Sequence, residues 1–268
     1  MLLSIKNISV DYFRGKKIIP ALRNASLEIA EGESVGLVGE SGSGKSTLAL
    51  AALRLISPHE GNITQGKIIF QGKDILALPE QDMRAIRGKD IGIIFQDPFS
   101  SLNPVLRIGD QIEEAIQVHA ENKLSQADLK KSALAALSNA RLPEPERIYN
   151  SYPHQVSGGQ RQRAMIAMAI ANSPRLLIAD EPTTALDVTV QKEILDLLAQ
   201  LRKDMGMALI LITHHLGIVS QTTDRIYVLK NGEVVESGAT RSVLSSPAHS
   251  YTQELLRAVP QTAKVHRA

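Results

Sequence analysis

The chain has 268 residues, which is enough for one large domain or for a core with an inserted subdomain. Thirty Lys and Arg residues nearly balance 28 Asp and Glu, and the resulting net charge of +2 argues against a dedicated nucleic-acid binder. The absence of cysteine excludes disulfides, cysteine-ligated zinc and thiolate-bound iron–sulfur clusters within the chain. The most apolar stretch, Ala164 to Ala171, is far shorter than the roughly 20 residues that span a bilayer, so we expect membrane contact only through a partner.

The N-terminal part predicts strands followed by one buried helix. Apolar and polar side chains alternate from Leu3 to Tyr12 and again from Ala25 to Ile29, as in half-buried strands. Ser34 to Val38 is a short apolar run, which predicts a buried parallel strand. A glycine-rich turn then leads into a helix predicted from about Lys45 to Ile56. Two further strands are predicted, at Lys67–Phe70 and Ile91–Phe95.

The middle of the chain predicts helices. From Ile108 to Ala171 apolar residues recur every three to four positions, and Ser125 is placed to cap one of the helices. A second stretch of alternating strands and helices follows. Its predicted elements are the strand Leu176–Ala179, the amphipathic helix Val190–Met205, the strand Ala208–Thr213, and a hairpin of Tyr227–Leu229 with Glu233–Glu236 around Asn231-Gly232. The alternation implies a mostly parallel sheet with the helical middle inserted into it.

Residues 39–46, GESGSGKS, predict a phosphate-binding loop. They satisfy the spacing GxxxxGK[ST] between a predicted strand and a predicted helix. In such a loop glycines let backbone N–H groups surround the phosphates, while the lysine reaches the terminal phosphates and the serine hydroxyl ligates Mg²⁺. A chance Gly/Ser loop is the alternative. The predicted ATP contacts here are Gly39, Ser41, Gly42, Gly44, Lys45, Ser46 and Thr47.

Two acids follow the apolar strand at 176–179. Asp180 is placed to hold Mg²⁺, and Glu181 to accept a proton from an attacking water. An acid at the end of a strand can also simply cap a turn. Together with the phosphate loop, however, the pair predicts a hydrolase of a Mg²⁺–nucleoside triphosphate.

Ser157-Gly158-Gly159-Gln160 narrows the class, because it resembles the signature loop of the ABC ATPases, with Val156 in place of the usual leucine. By itself this tetrapeptide could be any helix N-cap, but it lies 20 residues before the two acids. The resemblance implies that the loop contacts the γ-phosphate bound to an opposite subunit.

Other family elements follow in the expected order. Gln96 resembles the glutamine that senses Mg²⁺ and the membrane subunit, Ala185-Leu186-Asp187 the D-loop, and His214 the switch histidine. Tyr12 stands where the family places the aromatic residue that stacks on adenine, although neighbouring Phe13 or a plain core role for Tyr12 are alternatives. The resemblance thus implies Glu181, His214 and Gln96 as catalytic residues, and Ser46, Gln96 and Asp180 as metal ligands.

Longer stretches narrow the resemblance to the peptide/nickel importer branch, and to the first of its two ATPase subunits. They are QDPFSSLNPVLRIGDQI from Gln96, YPHQVSGGQRQRAMIAMAIA from Tyr152, LLIADEPTTALDVTVQ from Leu176 and SYTQELLRAVP from Ser250. One departure is His215, where an aspartate commonly follows the switch histidine. The cargo stays open among peptides, nickel, a metallophore or an opine-like compound.

The resemblance implies a complete set of partners. ATP and Mg²⁺ are the expected ligands. A second ATPase subunit, expected to be a paralogue, would complete a head-to-tail dimer, and a second copy of this chain is the alternative. Two transmembrane permease subunits and an extracytoplasmic solute-binding protein would complete an importer, with the chain peripheral at the cytoplasmic face of the inner membrane. The alternatives are an exporter ATPase or a non-transport ABC ATPase of DNA repair or translation, and no nucleic-acid partner is expected.

We therefore expect an α/β fold with a RecA-like P-loop NTPase core, an N-terminal antiparallel β subdomain and an inserted α-helical subdomain. The expected boundaries are 1–97 with 173–245 for the core, 98–172 for the helical subdomain and 246–268 for the C-terminal motif and tail. After Gln96 an apolar set consists of Phe99, Leu102, Val105 and Leu106. These side chains either pack beneath the helical insertion or form a groove for a permease helix.

Overall fold

The structure is a computed structural model that describes residues 1–97, 101–184 and 186–258. It divides into two compact units. Unit 1 consists of Met1–Met83 and Ala208–Ala268, and unit 2 of Arg84–Met207. Within the described residues, no helix is both long enough and apolar enough to cross a membrane.

Strands and helices alternate along most of the chain. The strands are β1 (Leu3–Arg14), β2 (Lys17–Ile29), β3 (Ser34–Val38), β4 (Gly61–Phe70), β5 (Lys73–Asp74), β6 (Ile91–Ile94), β7 (Leu176–Asp180), β8 (Ala208–Thr213), β9 (Arg225–Lys230) and β10 (Glu233–Ala239). The helices are α1 (Lys45–Ala52), α2 (Glu80–Ile86), α3 (Ile108–Gln117), α4 (Gln126–Asn139), α5 (Pro145–Asn150), α6 (Gly158–Ile170), α7 (Val188–Met205), α8 (Leu216–Thr222), α9 (Thr240–Ser245) and α10 (Ser250–Ala258). A 3₁₀ turn covers Pro153–Gln155.

Unit 1 contains an antiparallel sheet in the order β2-β1-β4-β5. Leu3, Ile5, Ile8 and Val10 of β1 are all buried, which confirms the alternation predicted from the sequence. Strand β4 is longer than predicted and begins at Gly61 rather than Lys67. Its extra residues pair with the far end of β1, so the pairing extends the strand where its own sequence is polar.

Unit 1 also contains a mixed group of strands. β3 lies parallel to both β8 and β9, and β10 pairs antiparallel with β9. All residues of β3 and β8 are buried, which is typical of strands covered on both faces. Asn231 and Gly232 both have positive φ, at 49° and 83°, as a two-residue type I′ hairpin requires. The predicted buried strand and the predicted hairpin are both confirmed.

Helix α1 ends at Ala52, before the predicted Ile56. Arg54 takes a left-handed conformation with φ of 51°, and the Leu55 N–H returns to the Leu50 carbonyl at 2.9 Å. This is the hydrogen-bonding pattern of a helix C-terminus, usually built on glycine. Because Arg54 rather than a glycine takes the left-handed position, no glycine marks the end of this helix in the sequence.

Unit 2 holds the parallel pair β6 and β7, with helices α3 to α6 between them in the chain. The helical middle predicted from periodicity is therefore confirmed. Ser125 caps α4 as predicted, since its hydroxyl accepts a hydrogen bond from the Asp128 N–H at 3.2 Å. A buried pair ties two helices together: the Tyr149 hydroxyl of α5 donates to Glu113 of α3. This bond and burial, the larger cause, raise the pKa of Tyr149 to about 12.

Candidate functional site

The phosphate loop lies between β3 and α1 in unit 1. Gly39, Gly42 and Gly44 all have positive φ, at 154°, 80° and 104°, so the loop uses backbone conformations that other residues rarely adopt. Two of these glycines are also needed sterically. A Cβ on Gly39 would lie 2.2 Å from the Leu229 carbonyl oxygen, and one on Gly44 would lie 2.7 Å from the Ala21 carbonyl oxygen.

Gly42 differs from the other two glycines. A Cβ built there meets nothing within 4 Å, so the protein itself does not require glycine at this position for space. Its left-handed backbone lets consecutive N–H groups turn inward, as in loops that surround phosphate. Helix α1 starts directly after this loop without a side-chain cap and without acids in its first turn. The loop and helix therefore present backbone donors and a positive helix end to an anion.

Lys45 begins α1 and lies inside the loop. Its ammonium donates to the Gly39 carbonyl at 2.9 Å and to the Glu40 carbonyl at 2.8 Å, and the residue is only 5% exposed. Ser46 is exposed beside it. The predicted loop residues are thus brought together: Gly39 and Lys45 are buried, Gly44 and Thr47 half-buried, and Ser41, Gly42 and Ser46 exposed.

Two further predicted residues of unit 1 lie outside the phosphate loop. His214 is exposed directly after β8, with its ring 5.4 Å from that of His215. The turn is fixed because the Thr213 hydroxyl accepts from the His215 N–H at 3.0 Å. Tyr12 is half-buried on β1 and packs beside Gly61, while Phe13 next to it is 41% exposed. The adenine role of Tyr12 and the alternative at Phe13 both stay predictions.

In unit 2 the acid pair follows the buried strand β7. Asp180 is its last residue and is 7% exposed, whereas Glu181 is half-buried with a left-handed φ of 46°. A positive φ in a residue other than glycine is uncommon and concentrates at functional sites. In Glu181 this conformation turns the chain sharply at the residue that the sequence predicts as the catalytic base.

Two side chains hold the Glu181 carboxylate. Gln96 Nε2 donates to Oε2 at 3.2 Å, and the Thr184 hydroxyl donates to the same oxygen at 3.0 Å. The structure therefore joins two of the predicted catalytic residues, Gln96 and Glu181, although 85 positions separate them. Thr184 was missed in the sequence, and its position three residues after the glutamate is the only signal that could have indicated it.

The signature loop forms the start of α6. The Ser157 hydroxyl accepts from the Gln160 N–H at 3.3 Å, and the Gln160 side chain accepts from the Ser157 N–H at 3.2 Å, which is a capping box. Ser157 and Gly158 are exposed, so this helix start faces solvent in unit 2. A Cβ on Gly159 would lie 3.0 Å from Val190, which brings the loop close to α7.

Asp187 caps α7 by accepting from the Val190 N–H at 3.0 Å. Its neighbour Leu186 lies near Gly158, since a Cβ built on Gly158 would be 3.7 Å from the Leu186 side chain. The predicted D-loop and signature residues therefore adjoin each other within unit 2. Ala185, the first residue of the predicted D-loop, lies outside the described residues.

Comparison with known proteins identifies the class. The sequence pattern described as ABC transporter matches residues 22–184. This chain belongs to the ABC transporter family. Among its relatives, the peptidoglycan transport ATP-binding protein YejF of Agrobacterium fabrum is 47% identical over 99% of the chain, which covers 48% of that protein. The oligopeptide transport ATP-binding protein OppD of Bacillus subtilis is 44% identical over 97% of the chain and 72% of its own length. The chain thus spans about half the length of the first relative.

The fold comparison agrees with the sequence comparison. An ATP-binding cassette, in a dimeric post-hydrolysis state bound to ADP and phosphate, matches 90% of this chain and 99% of its own, with a TM-score of 0.80 and 34% identity. The predicted ABC ATPase fold is therefore confirmed. The resemblance to the ATP-binding proteins of peptide transporters is confirmed as well, through relatives whose names specify oligopeptide and peptidoglycan transport.

The described residues of the apolar segment after Gln96 are partly buried and partly exposed. Phe99 lies outside the described residues, Leu102 is buried at 1% exposure, and Val105 and Leu106 are 76% and 39% exposed. The buried amide of Gln111 holds this turn. It accepts from the Asn103 N–H at 2.8 Å and donates to the carbonyls of residues 103, 106 and 107 at 3.1–3.3 Å. Packing explains Leu102 but leaves Val105 and Leu106 as an exposed apolar turn.

Proposed function

We propose that the chain is the ATP-hydrolysing subunit of an importer for peptides or chemically related small solutes. The observation that carries the proposal is the phosphate loop, with its three left-handed glycines, uncapped helix and buried lysine, in a member of the ABC transporter family. The names of the two relatives, which specify peptidoglycan and oligopeptide transport, support this cargo class.

ATP binding is proposed to start from the contacts of Lys45. Its ammonium now bonds two carbonyl oxygens of the loop, and terminal phosphate oxygens would replace them as stronger, charged acceptors. Backbone donors of residues 42–47 would surround the phosphates. Tyr12 would stack on adenine. The start of α1 supports this arrangement because its N-cap residue, Gly44, has no side chain to cap the first N–H groups of the helix.

Hydrolysis is proposed to use Glu181 as general base. Gln96 and Thr184 fix its carboxylate, which would take a proton from water as that water attacks the γ-phosphorus. The bond from the γ-phosphorus to the bridging oxygen breaks, and ADP and phosphate leave. His214 would contact the γ-phosphate. Ser46, Gln96 and Asp180 offer hydroxyl, amide and carboxylate oxygens, the ligand type that suits Mg²⁺, and the ion would offset phosphate charge.

The working unit is proposed to be a head-to-tail dimer with a second ATPase subunit. The exposure of Ser157 and Gly158 at a helix start supports a contact with the ATP of an opposite subunit. Asp187 would lie at the same interface. The exposed apolar turn of Val105 and Leu106 would contact one of two permease subunits, placing the chain at the cytoplasmic face of the membrane, with a solute-binding protein outside. The division into core, helical subdomain and C-terminal motif remains part of this proposal.

A paired substitution tests binding and hydrolysis separately. Lys45→Ala should lose most ATP affinity, because the charge that meets the terminal phosphates is removed. Glu181→Gln should retain ATP affinity and lose about 10²–10⁴ in hydrolysis rate, since the amide is a poor proton acceptor. Equilibrium titration with ATP and a phosphate-release assay give the two readings. Unchanged affinity in Lys45→Ala, or near-normal turnover in Glu181→Gln, would contradict the proposal.

Cargo needs a separate experiment. The complete transporter, reconstituted in vesicles, should take up a labelled oligopeptide when ATP is supplied on the side of the ATPase, and the Glu181→Gln complex should not. Nickel ion serves as the competing cargo. Uptake of nickel without uptake of peptide would refute the peptide assignment while leaving the ATPase assignment intact.

A further inference from the structure

The C-terminal helix α10 packs against the core of unit 1. Tyr251 is 2% exposed and belongs to an apolar cluster with Val38 of β3 and Val228 of β9, and Leu255 and Leu256 pack against the same cluster. The start of the helix is held as well. Glu236 on β10 accepts from the N–H groups of Ala248 at 2.7 Å and His249 at 3.2 Å. The helix is thus fixed both by apolar packing and by hydrogen bonds to a carboxylate.

The hydroxyl of Tyr251 reaches the phosphate loop. It accepts a hydrogen bond from the Glu40 N–H at 3.0 Å. The carbonyl oxygen of Glu40 in turn accepts a hydrogen bond from Lys45 Nζ at 2.8 Å. Lys230 Nζ lies 4.4 Å from the centroid of the Tyr251 ring, a cation–π distance that holds the ring from the β9 side. Glu40 therefore connects the C-terminal helix to Lys45 of the loop, through one hydrogen bond to Tyr251 and one to Lys45.

This contact uses a backbone group outside the residues proposed to surround the phosphates. Glu40 is the second residue of the loop, whereas Gly42, the loop glycine with open space around it, and the start of α1 come later, at residues 42–47. The Tyr251 phenol also stays neutral near pH 7, because burial, the largest cause, raises its pKa above the ordinary 10.0. The phenol oxygen therefore stays available as an acceptor near pH 7, and the phosphate contacts proposed for residues 42–47 leave the Glu40 N–H to it.

We propose that Tyr251 is a positioning residue for nucleotide binding. It fixes the first turn of the phosphate loop by holding the Glu40 N–H, and thereby orients the Glu40 carbonyl and Lys45. The inference rests on the nucleotide function proposed above and adds to it a role for the C-terminal helix. A loop already held in its binding conformation loses less conformational freedom when ATP binds.

The test is Tyr251→Phe in the full chain, with Tyr227→Phe as matched control. Tyr227 is also a buried tyrosine of unit 1, but its hydroxyl accepts from the Glu28 N–H at 3.1 Å, on strand β2 rather than on the phosphate loop. Each substitution removes one hydroxyl and keeps the ring. Tyr251→Phe should weaken binding of both ATP and ADP about two- to tenfold, the range for one net hydrogen bond. Tyr227→Phe should leave both affinities unchanged even if it lowers Tm as much.

Amide hydrogen exchange at Glu40 gives a second reading that general loss of stability would not produce. In Tyr251→Phe this amide should exchange faster at a temperature well below Tm, while amides of β3 keep their protection. Unchanged nucleotide affinity with unchanged exchange at Glu40 would overturn the inference. So would equal weakening by Tyr227→Phe. A wild-type chain that binds no ATP would instead overturn the proposed function, which distinguishes the two failures.

Discussion

Substituting the phosphate-loop glycines one at a time should separate what the fold requires from what the ligand requires. An alanine Cβ at Gly39 would lie 2.2 Å from the Leu229 carbonyl oxygen and 2.7 Å from the Ser43 hydroxyl oxygen. The first neighbour is backbone of β9, where Leu229 pairs with Val234, so it has little freedom to retreat. At Gly42 the same Cβ meets nothing within 4 Å.

These contacts set the expected magnitudes. Overpacking costs about 1–3 kcal/mol, and a non-glycine residue in such a backbone conformation costs about 1–3 kcal/mol more. Gly39→Ala should therefore lower the free energy of unfolding by about 2–6 kcal/mol. Gly42→Ala, with φ of 80° and no clash, should cost only the conformational part, about 1–3 kcal/mol. Gly15→Ala is the control, since it has φ of 62° and open space on the β1–β2 turn.

Thermal melts without nucleotide and titrations with ATP test these expectations. Thermal melts of the nucleotide-free chains should rank Gly39→Ala well below Gly42→Ala and Gly15→Ala, at about 2–4 °C per kcal/mol for a chain of this size. ATP titration should then show at least about tenfold lower affinity for Gly42→Ala, because its new methyl group would enter the space proposed for the phosphate. Gly15→Ala should bind ATP normally. If Gly39→Ala melted no lower than Gly42→Ala, the steric argument would be refuted.

Three further outcomes are expected. Gly109→Ala in α3 should lower the free energy of unfolding in urea by about 1–3 kcal/mol, because its Cβ would lie 2.3 Å from the buried Tyr149 ring. An unchanged or higher free energy of unfolding would contradict this packing. Ser157→Arg should leave ATP binding by the isolated chain intact but block hydrolysis in the dimer, and loss of binding in a folded mutant would argue against a trans contact. Leu106→Asp should keep the fold and ATP binding while permease-stimulated hydrolysis and transport fall together; normal transport would remove this turn from the permease interface.

Local sequence patterns predicted most of the fold because they are strong where strands are buried on both faces. Ser34–Val38 and Ala208–Thr213 were predicted at the bounds that the structure gives. Asn231-Gly232 marked the hairpin, since few other dipeptides tolerate two positive φ values in succession. The phosphate loop was equally readable, because its glycines reflect backbone conformations rather than side-chain chemistry.

Features that depend on distant neighbours could not be read in the same way. The end of α1 depends on Arg54 taking a left-handed conformation, which no residue preference announces. Exposure after Gln96 was undecided in the sequence, because Leu102 and Leu106 are the same residue type in the same loop. Their burial is set by how the buried amide of Gln111 folds the turn. The Thr184 contact to Glu181 likewise depends on the turn that the left-handed glutamate makes.

The phosphate loop illustrates why a motif is necessary but insufficient for a preorganised site. Its glycines permit many conformations, so the residues of the loop alone leave it free to move. Contacts from elsewhere in unit 1 select one of these conformations. The Leu229 carbonyl leaves no room for a Cβ on Gly39, the Gly232 N–H donates to the Ser43 carbonyl at 2.9 Å, and the Tyr251 hydroxyl accepts from the Glu40 N–H. Two of these contacts come from the β9–β10 hairpin and one from the C-terminal helix. Donors that are already in place need no reorganisation when charge arrives. We therefore expect the contacts from β9, β10 and α10 to raise the phosphate affinity of the loop.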